Sequence, residues 1–562
     1  MSALREGSID VEKENEFFLS AFFTFEEYMN AVLYDPLWGF YGSGKVKFGA
    51  DFNTMPVALS PVFAEMMAER FFSMYTGMLA EGSLSNRGRF SVLEFGAGTG
   101  VFARDMVAYC LERSRHDERW RDFYRQLEYV IGERSRALIT KQSSCNSQFL
   151  GSKIRILEAD AQNMNGFLTH ERPIKGVIFS NELLDVFPAH RIVARGNEEP
   201  RFVVSIPSII DGLTDTVAVQ NVVGREILVP AKTTMFRFLD EVLGPAGLSI
   251  ESLRHKSGAY SAASPAIRRL AAEGAIILCK EDFLKIQTLL SGPGMNIYRE
   301  RMASCMRFHE ALLPVEMLPE LHAYLKEHKQ IQSMLERAGA GLALSFGWKR
   351  FIREAASIID KGYVFTIDDG YTAAEFVTTG PQGSPVMVYH HRLDSRGCNP
   401  YMAPGDADVC ASVDFTALVE EGMQHGLRPV FYGRLSALED GLPVAIHSED
   451  SIYRIKEHFR RSAVEMNLEP WLLAQSGLRG EKAGYFGQAV REYLDGRPDK
   501  AEALDSASKD LMAQLLQKAS EDAEQRVPMW IKAFGQMHRI LIQQKESTDP
   551  RYVFSRKALP LS

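Results

Sequence analysis

No run of about 18 apolar residues occurs in this chain, roughly the length a helix needs to cross a bilayer, so no membrane partner is expected. Cysteine is sparse: Cys110, Cys145, Cys279, Cys305, Cys398 and Cys410 include no C-x-x-C pair. That scatter excludes a structural zinc of the usual spacing, predicts no metal, and points to a reducing compartment. Positive charge is in deficit as well. Lys and Arg number 64 against 72 Asp and Glu, a net charge of -8, which argues against a broad nucleic-acid surface. The opening residues, MSALREGSIDVEKENEFF, are acidic and contain no apolar core segment, so neither a secretory signal nor an import peptide is read there, and a cytoplasmic location is expected. What remains is an ordinary globular composition, 46% hydrophobic and 24% charged, in a 562-residue chain that is too long for one core.

The chain is organised around FSVLEFGAGTGVFARDM, residues 90–106. Ser91 to Phe95 form a short buried strand, and Gly96, Gly98 and Gly100 let the backbone turn where a Cβ would collide with a ligand. Phe102, Met106 and Cys110 then recur at helical spacing. Strand, glycine turn and helix N-terminus make a nucleotide-type pocket at the carboxyl edge of a parallel sheet. Gly98, Gly100 and Ala103 formally satisfy a dinucleotide pattern, and a purely structural glycine turn is the plain alternative. Glu94 favours a third reading: a carboxylate just before the glycines repels a pyrophosphate and welcomes a cation. S-adenosyl-L-methionine carries a sulfonium, an ammonium and no phosphate. The second strand, from Leu127, ends at Glu133, which is placed to accept both ribose hydroxyls. A third strand, Ile154 to Leu157, leads to Asp160, the candidate acceptor for the adenine amino group. The fourth strand, Gly176 to Phe179, gives way abruptly to Ser180, Asn181 and Glu182, with Asp185 and His190 close behind.

The E-x-G-x-G-x-G motif resembles that of class I methyltransferases. With LYDPLWGFY, FGADFNT and the segment Asn181, Glu182, Asp185, Pro188, His190, the chain resembles the MidA-like family, relatives of a mitochondrial complex I assembly protein arginine methyltransferase. Three positions depart from the family pattern: Ala50 replaces a glycine, Met55 stands where the family has serine, and Asp369 replaces an aromatic. Likeness returns at KGYVFTIDDGY and at Tyr389, Pro404, Gly405, Asp408, Val413, Asp414 and Phe415. The resemblance implies an α/β fold, a class I (Rossmann-like) doubly wound seven-stranded sheet with a helical insertion and a helical C-terminal addition. It implies S-adenosyl-L-methionine as cofactor, held by Thr54, Glu94, Gly96, Gly98, Gly100, Glu133, Asp160 and Asn181. Glu182 with Asp185 would orient a guanidinium acceptor, whereas His190, His391 or Tyr389 would serve as base or orienter for a hydroxyl or carboxyl.

The expected organisation is residues 1–90 as a helical and aromatic cover of the cofactor site, 91–195 as the first half of the core, 196–345 as a mainly helical cap for substrate or partner, 346–435 as the second half, and 436–562 as a helical addition with a final strand. The expected partner is a methyl-acceptor protein or small molecule, with a homodimer left open. A methyltransferase-fold scaffold without catalysis is the alternative from another class.

Overall fold

The computed structural model describes residues 11–48, 53–164, 174–194, 198–210, 240, 243–244, 247–328, 330–338, 341–379, 385–390, 393–394, 399–474, 478–536 and 538–545. The chain divides into two compact units, each assembled from separate stretches. One comprises residues 1–45, 186–347 and 372–412; the other comprises 46–185, 348–371 and 413–562.

The second unit is built on a seven-stranded sheet. Its strands are β1 (Phe90–Phe95), β2 (Leu127–Glu133), β3 (Ile154–Glu158), β4 (Ile174–Asn181), β5 (Ile359–Asp368), β6 (Leu427–Arg434) and β7 (Arg539–Lys545). The spatial order is β6-β7-β5-β4-β1-β2-β3. β1 to β5 run parallel, and β7 lies antiparallel between β5 and β6. Their sequences are apolar on both faces, as central parallel strands require: Val92, Leu93, Val177, Ile178, Phe179, Val364 and Phe365 are all fully buried. After β1 the helix Val101–His116 turns Phe102, Ala103, Met106, Val107 and Cys110 inward at helical spacing. Phe102 stacks on Phe179 of β4 with ring centroids 4.9 Å apart. Each such side chain contributes roughly 1.5–3 kcal/mol by leaving water. Arg113, Arg115 and His116 in the last turn oppose the negative end of the helix dipole. The C-terminal helices Glu449–Ala474, Glu481–Leu494 and Ser506–Gln536 form an excursion between β6 and β7, so the final strand returns to the interior of the sheet.

The first unit carries its own sheet. Strand Arg201–Ile210 pairs antiparallel with Phe23–Thr24, His190–Val193, Ala275–Ile277 and Met306–Pro314. Most of the insertion's described residues are helical, as expected, but the sequence reading did not include this sheet. The run FVVSIPSII is rich in β-branched residues and buried throughout most of its length, so it makes a central strand, while helices such as Ile250–Ala263 and Lys280–Leu290 account for the helical periodicity. The aromatic loop after the first capped helix is part of this unit's packing: Trp38 and Phe40 are buried, and Trp38 meets Phe283 edge-on at 6.0 Å. The 1–90 segment is therefore shared between the units, dividing at Lys45, and residues 372–412 of the expected second half also belong to the first unit.

Candidate functional site

In this strand order β1 and β4 are neighbours whose onward connections lead to opposite sides, and ligands of open α/β sheets bind at such a point outside the carboxyl ends. The glycine turn lies there. Gly96, Gly98 and Gly100 have φ of +74°, +55° and +80°, the left-handed region that L side chains rarely adopt. Space is also short: a Cβ on Gly96 would meet Leu183 at 2.8 Å, one on Gly98 would come within 3.3 Å of the Phe48 ring, and one on Gly100 would strike Asn146 at 2.5 Å.

Two residues absent from the sequence expectations hold this turn. Gln142 and Asn146, both fully buried, lie on or just after the helix Arg136–Cys145. The Gln142 amide donates to Gly98 O at 3.1 Å and to Glu133 Oε2 at 2.9 Å. The Asn146 amide donates to Gly100 O at 3.1 Å. Their signal in the sequence was the i, i+4 spacing that sets both on one helix face towards the turn.

Glu133, buried at the end of β2, also accepts from Ser135 N at 2.8 Å through Oε1. Burial pushes its carboxyl upward, against the pull of the Ser135 N–H and the Gln142 amide. Each carboxylate oxygen has two lone pairs, so these two bonds and a third from the Arg134 backbone N–H still leave acceptor capacity. Glu94 is different. It is buried, Tyr129 donates to its Oε2 at 2.7 Å, and burial, seconded by the charge of Glu133, raises its pKa to about 8 despite that bond. The full negative charge expected of Glu94 is thus withheld at neutral pH unless a cation arrives. Asp160 is more exposed: Oδ1 accepts from Gln162 N at 2.8 Å, and Oδ2 lies 3.9 Å from Arg134.

The β4 and β5 ends supply a second group. Asn181 donates through Nδ2 to Glu182 Oε1 at 2.9 Å, and Met55 N donates to the same oxygen at 3.0 Å. Thr54, whose side chain makes no capping bond, is the N-cap of that short helix, Met55–Ala58. The structure therefore brings Thr54, Asn181 and Glu182 to one place. The contact from residue 55 is made by the backbone N–H, so methionine in place of serine leaves it intact. Asp368, fully buried at the end of β5, accepts from Leu183 N at 3.2 Å and Leu184 N at 2.8 Å through Oδ2, and from Asp369 N at 2.9 Å through Oδ1. Burial, with Glu182 adding to it, drives its carboxyl well above the usual range. Asp185 is buried in the loop that Asp368 holds, and Trp348 Nε1 anchors the same loop through Leu184 O at 2.7 Å.

His190 and Tyr389 belong to the first unit. His190 is buried with Nε2 3.3 Å from Glu26 Oε2, and Tyr389 directs its hydroxyl to Met387 Sδ at 3.8 Å. His391, Ala50, Asp51 and Phe52 lie outside the described residues.

The residues of the second unit fit S-adenosyl-L-methionine on two observations. The left-handed glycine turn brings backbone to the carboxyl edge without side chains, packed against Leu183, Phe48 and Asn146, and Asn181 Oδ1, in a residue 7% exposed, has no hydrogen-bond partner among the described residues. An unpartnered acceptor beside carboxylates suits a donor-bearing cation. Among the described residues no helix is long and apolar enough to cross a membrane.

Comparison with known proteins agrees with this chemistry. No curated protein matches the sequence. Among solved structures, the S-adenosyl-homocysteine-bound crystal structure of a superfamily member from Burkholderia thailandensis is 16% identical, with 99% of this chain and 98% of that chain covered and a TM-score of 0.49. A native structure of the same superfamily and organism is 15% identical, covers 99% of each chain and has a TM-score of 0.47. A family profile described as "Putative S-adenosyl-L-methionine-dependent methyltransferase" matches residues 66–432. That match takes in β1 to β5 and most of β6 with the glycine turn, Glu133, Asp160 and Glu182, and covers well over half of the sequence: the chain belongs to this family of S-adenosyl-L-methionine-dependent methyltransferases.

Proposed function

We propose that the seven-stranded sheet is a class I, doubly wound methyltransferase core and that the enzyme methylates a guanidinium nitrogen of a protein arginine. The observation that carries the acceptor class is the acceptor-rich edge after β4. There the Glu182 carboxylate offers oxygens to a group that is all donors, and a guanidinium presents five N–H bonds in a planar fork. The bound cofactor supplies an electrophilic methyl group. The chain contributes position and electrostatics: Gly96 to Gly100 and Glu133 hold, Asp160 selects the adenine, and Glu182 draws the acceptor into line at ~3–3.5 Å, which alone is worth several kcal/mol. Glu94 reinforces the cationic end once a positive charge draws its proton off.

Calorimetry with S-adenosyl-L-methionine on wild type and Glu133→Ala tests the pocket, and a radiolabelled methylation assay on arginine peptides against lysate small molecules tests the acceptor. Binding lost in the variant and label on arginine support the reading. Label confined to small molecules moves the acceptor to that class, and absence of binding favours the scaffold.

A further inference from the structure

Three energetic costs meet at one point of the carboxyl edge. Glu182 alone among the described non-glycine residues has a positive φ, +50°. Such a conformation costs about 1–3 kcal/mol and persists only where its surroundings over-determine it. Here they do: Glu182 N donates to Ile367 O at 2.8 Å, and its Oε1 is fixed by Met55 N and Asn181 Nδ2. The Oε2 edge is left facing His538, the residue just before β7, with Nε2 3.8 Å away and outside hydrogen-bond reach. His538 is only 7% exposed, and its Nδ1 has no partner among the described residues. A buried polar atom left without a partner costs about 1–3 kcal/mol, and Asn181 Oδ1 is a second such atom beside the same carboxylate. Packing alone would be better served by glycine at 182 and an apolar residue at 538. Because β7 runs antiparallel, its first residues lie level with the end of β5, Arg539 opposite Asp368, which delivers His538 to the reacting edge of the sheet. Leu183, next to Glu182, packs against Gly96, so this corner adjoins the glycine turn.

We propose that His538 is a positioning residue for methyl transfer that acts through Glu182. Its Nε2–H closes on Glu182 Oε2 when the site fills and turns that carboxylate toward the N–H or O–H of the methyl acceptor. The balance is simple. The acceptor gains the methyl carbon, whose former bonding pair stays on sulfur, and loses one proton, which the Glu182 carboxylate accepts while His538 keeps its own. This inference rests on the methyltransferase reading and adds a member to the same site.

Binding of two ligands to the full-length chain tests it without turnover. S-adenosyl-homocysteine is uncharged at sulfur, whereas sinefungin places an ammonium where the methyl group would be, so their affinity ratio reports how well Glu182 Oε2 faces that position. Wild type should prefer sinefungin. His538→Ala should hold S-adenosyl-homocysteine within about twofold of wild type and weaken sinefungin tenfold or more, as Glu182→Gln should. His538→Gln, whose amide N–H can still reach Glu182, should recover most of the preference, and this rescue separates positioning from a role in packing. An unchanged ratio in His538→Ala, an equal loss of both ligands, or no rescue by glutamine overturns the assignment. If neither ligand binds wild type, the pocket reading itself fails and takes this inference with it.

Discussion

The two halves of the carboxyl edge differ in how firmly their carboxylates are held. Around β1 and β2 the polar groups are tied down: Glu94 by Tyr129, Glu133 by Ser135 and Gln142, and the glycine carbonyls by Gln142 and Asn146. Around β4, β5 and β7 the chain tolerates a positive φ at Glu182 and unpartnered atoms on Asn181 and His538. A network that pins the carboxylates and the glycine carbonyls, even with Gln142 Oε1 and Asn146 Oδ1 lacking a partner among the described residues, suits a part that holds one ligand in one pose. Unfilled hydrogen-bonding capacity suits a part that must engage a group whose charge changes during reaction.

Gly98→Arg is the harshest way to break the holding half. It places a branched cation at φ +55° against the Phe48 ring, and calorimetry should find no S-adenosyl-L-methionine binding. Next in size, Asp368→Ala strips the acceptor from three backbone N–H groups beneath the reacting half. Chemical unfolding should register a loss of about 2–4 kcal/mol, where an ordinary surface change costs far less. Gln142→Ala should weaken cofactor binding about tenfold, ~1.4 kcal/mol, by freeing both Gly98 O and Glu133, while the fold persists.

The pH dependence of stability sharpens the contrast further. Glu94 has a folded pKa of about 8 against an ordinary value of 4.5. A raised acid favours the fold in its protonated form, so its contribution is complete below about 4.5 and is lost as pH climbs through about 8. Glu94→Gln should therefore gain on wild type across that window in unfolding melts, and a parallel pH course for the two proteins would show that Glu94 is not buried as described. Met55→Leu should do least. The side chain is fully buried but of similar volume, and Glu182 is held by the backbone N–H, so cofactor affinity should be unchanged and stability should shift by less than ~1.5 kcal/mol.

How much of this was legible in the chain follows from the range of each interaction. β1 to β4 are apolar runs that end in turn chemistry, so the glycine turn, Glu133, Asp160 and Asn181 could be placed from local pattern. Gln142 and Asn146 were hidden because a polar pair on a helix reads as solvent-facing until the helix is known to back onto the turn. His538 was hidden more deeply, since only the return of β7 between β5 and β6 brings it to Glu182. The charge on Glu94 was misjudged because a sequence shows a carboxylate but not its desolvation. The strand Arg201–Ile210 escaped notice among helical neighbours, its apolar run being too continuous to show alternation.

The late insertion of β7 has a consequence for synthesis. Domains fold as the ribosome releases them, at about 5–20 residues per second. A nascent chain that has just finished β6 lacks the partner that should separate it from β5, and it must keep two sheet edges apart while the long helices Glu449–Ala474 and Ser506–Gln536 are still being made. Translation itself thus acts as a timer: the holding half can assemble early, but the corner with His538 arrives only when that last ribbon slots home.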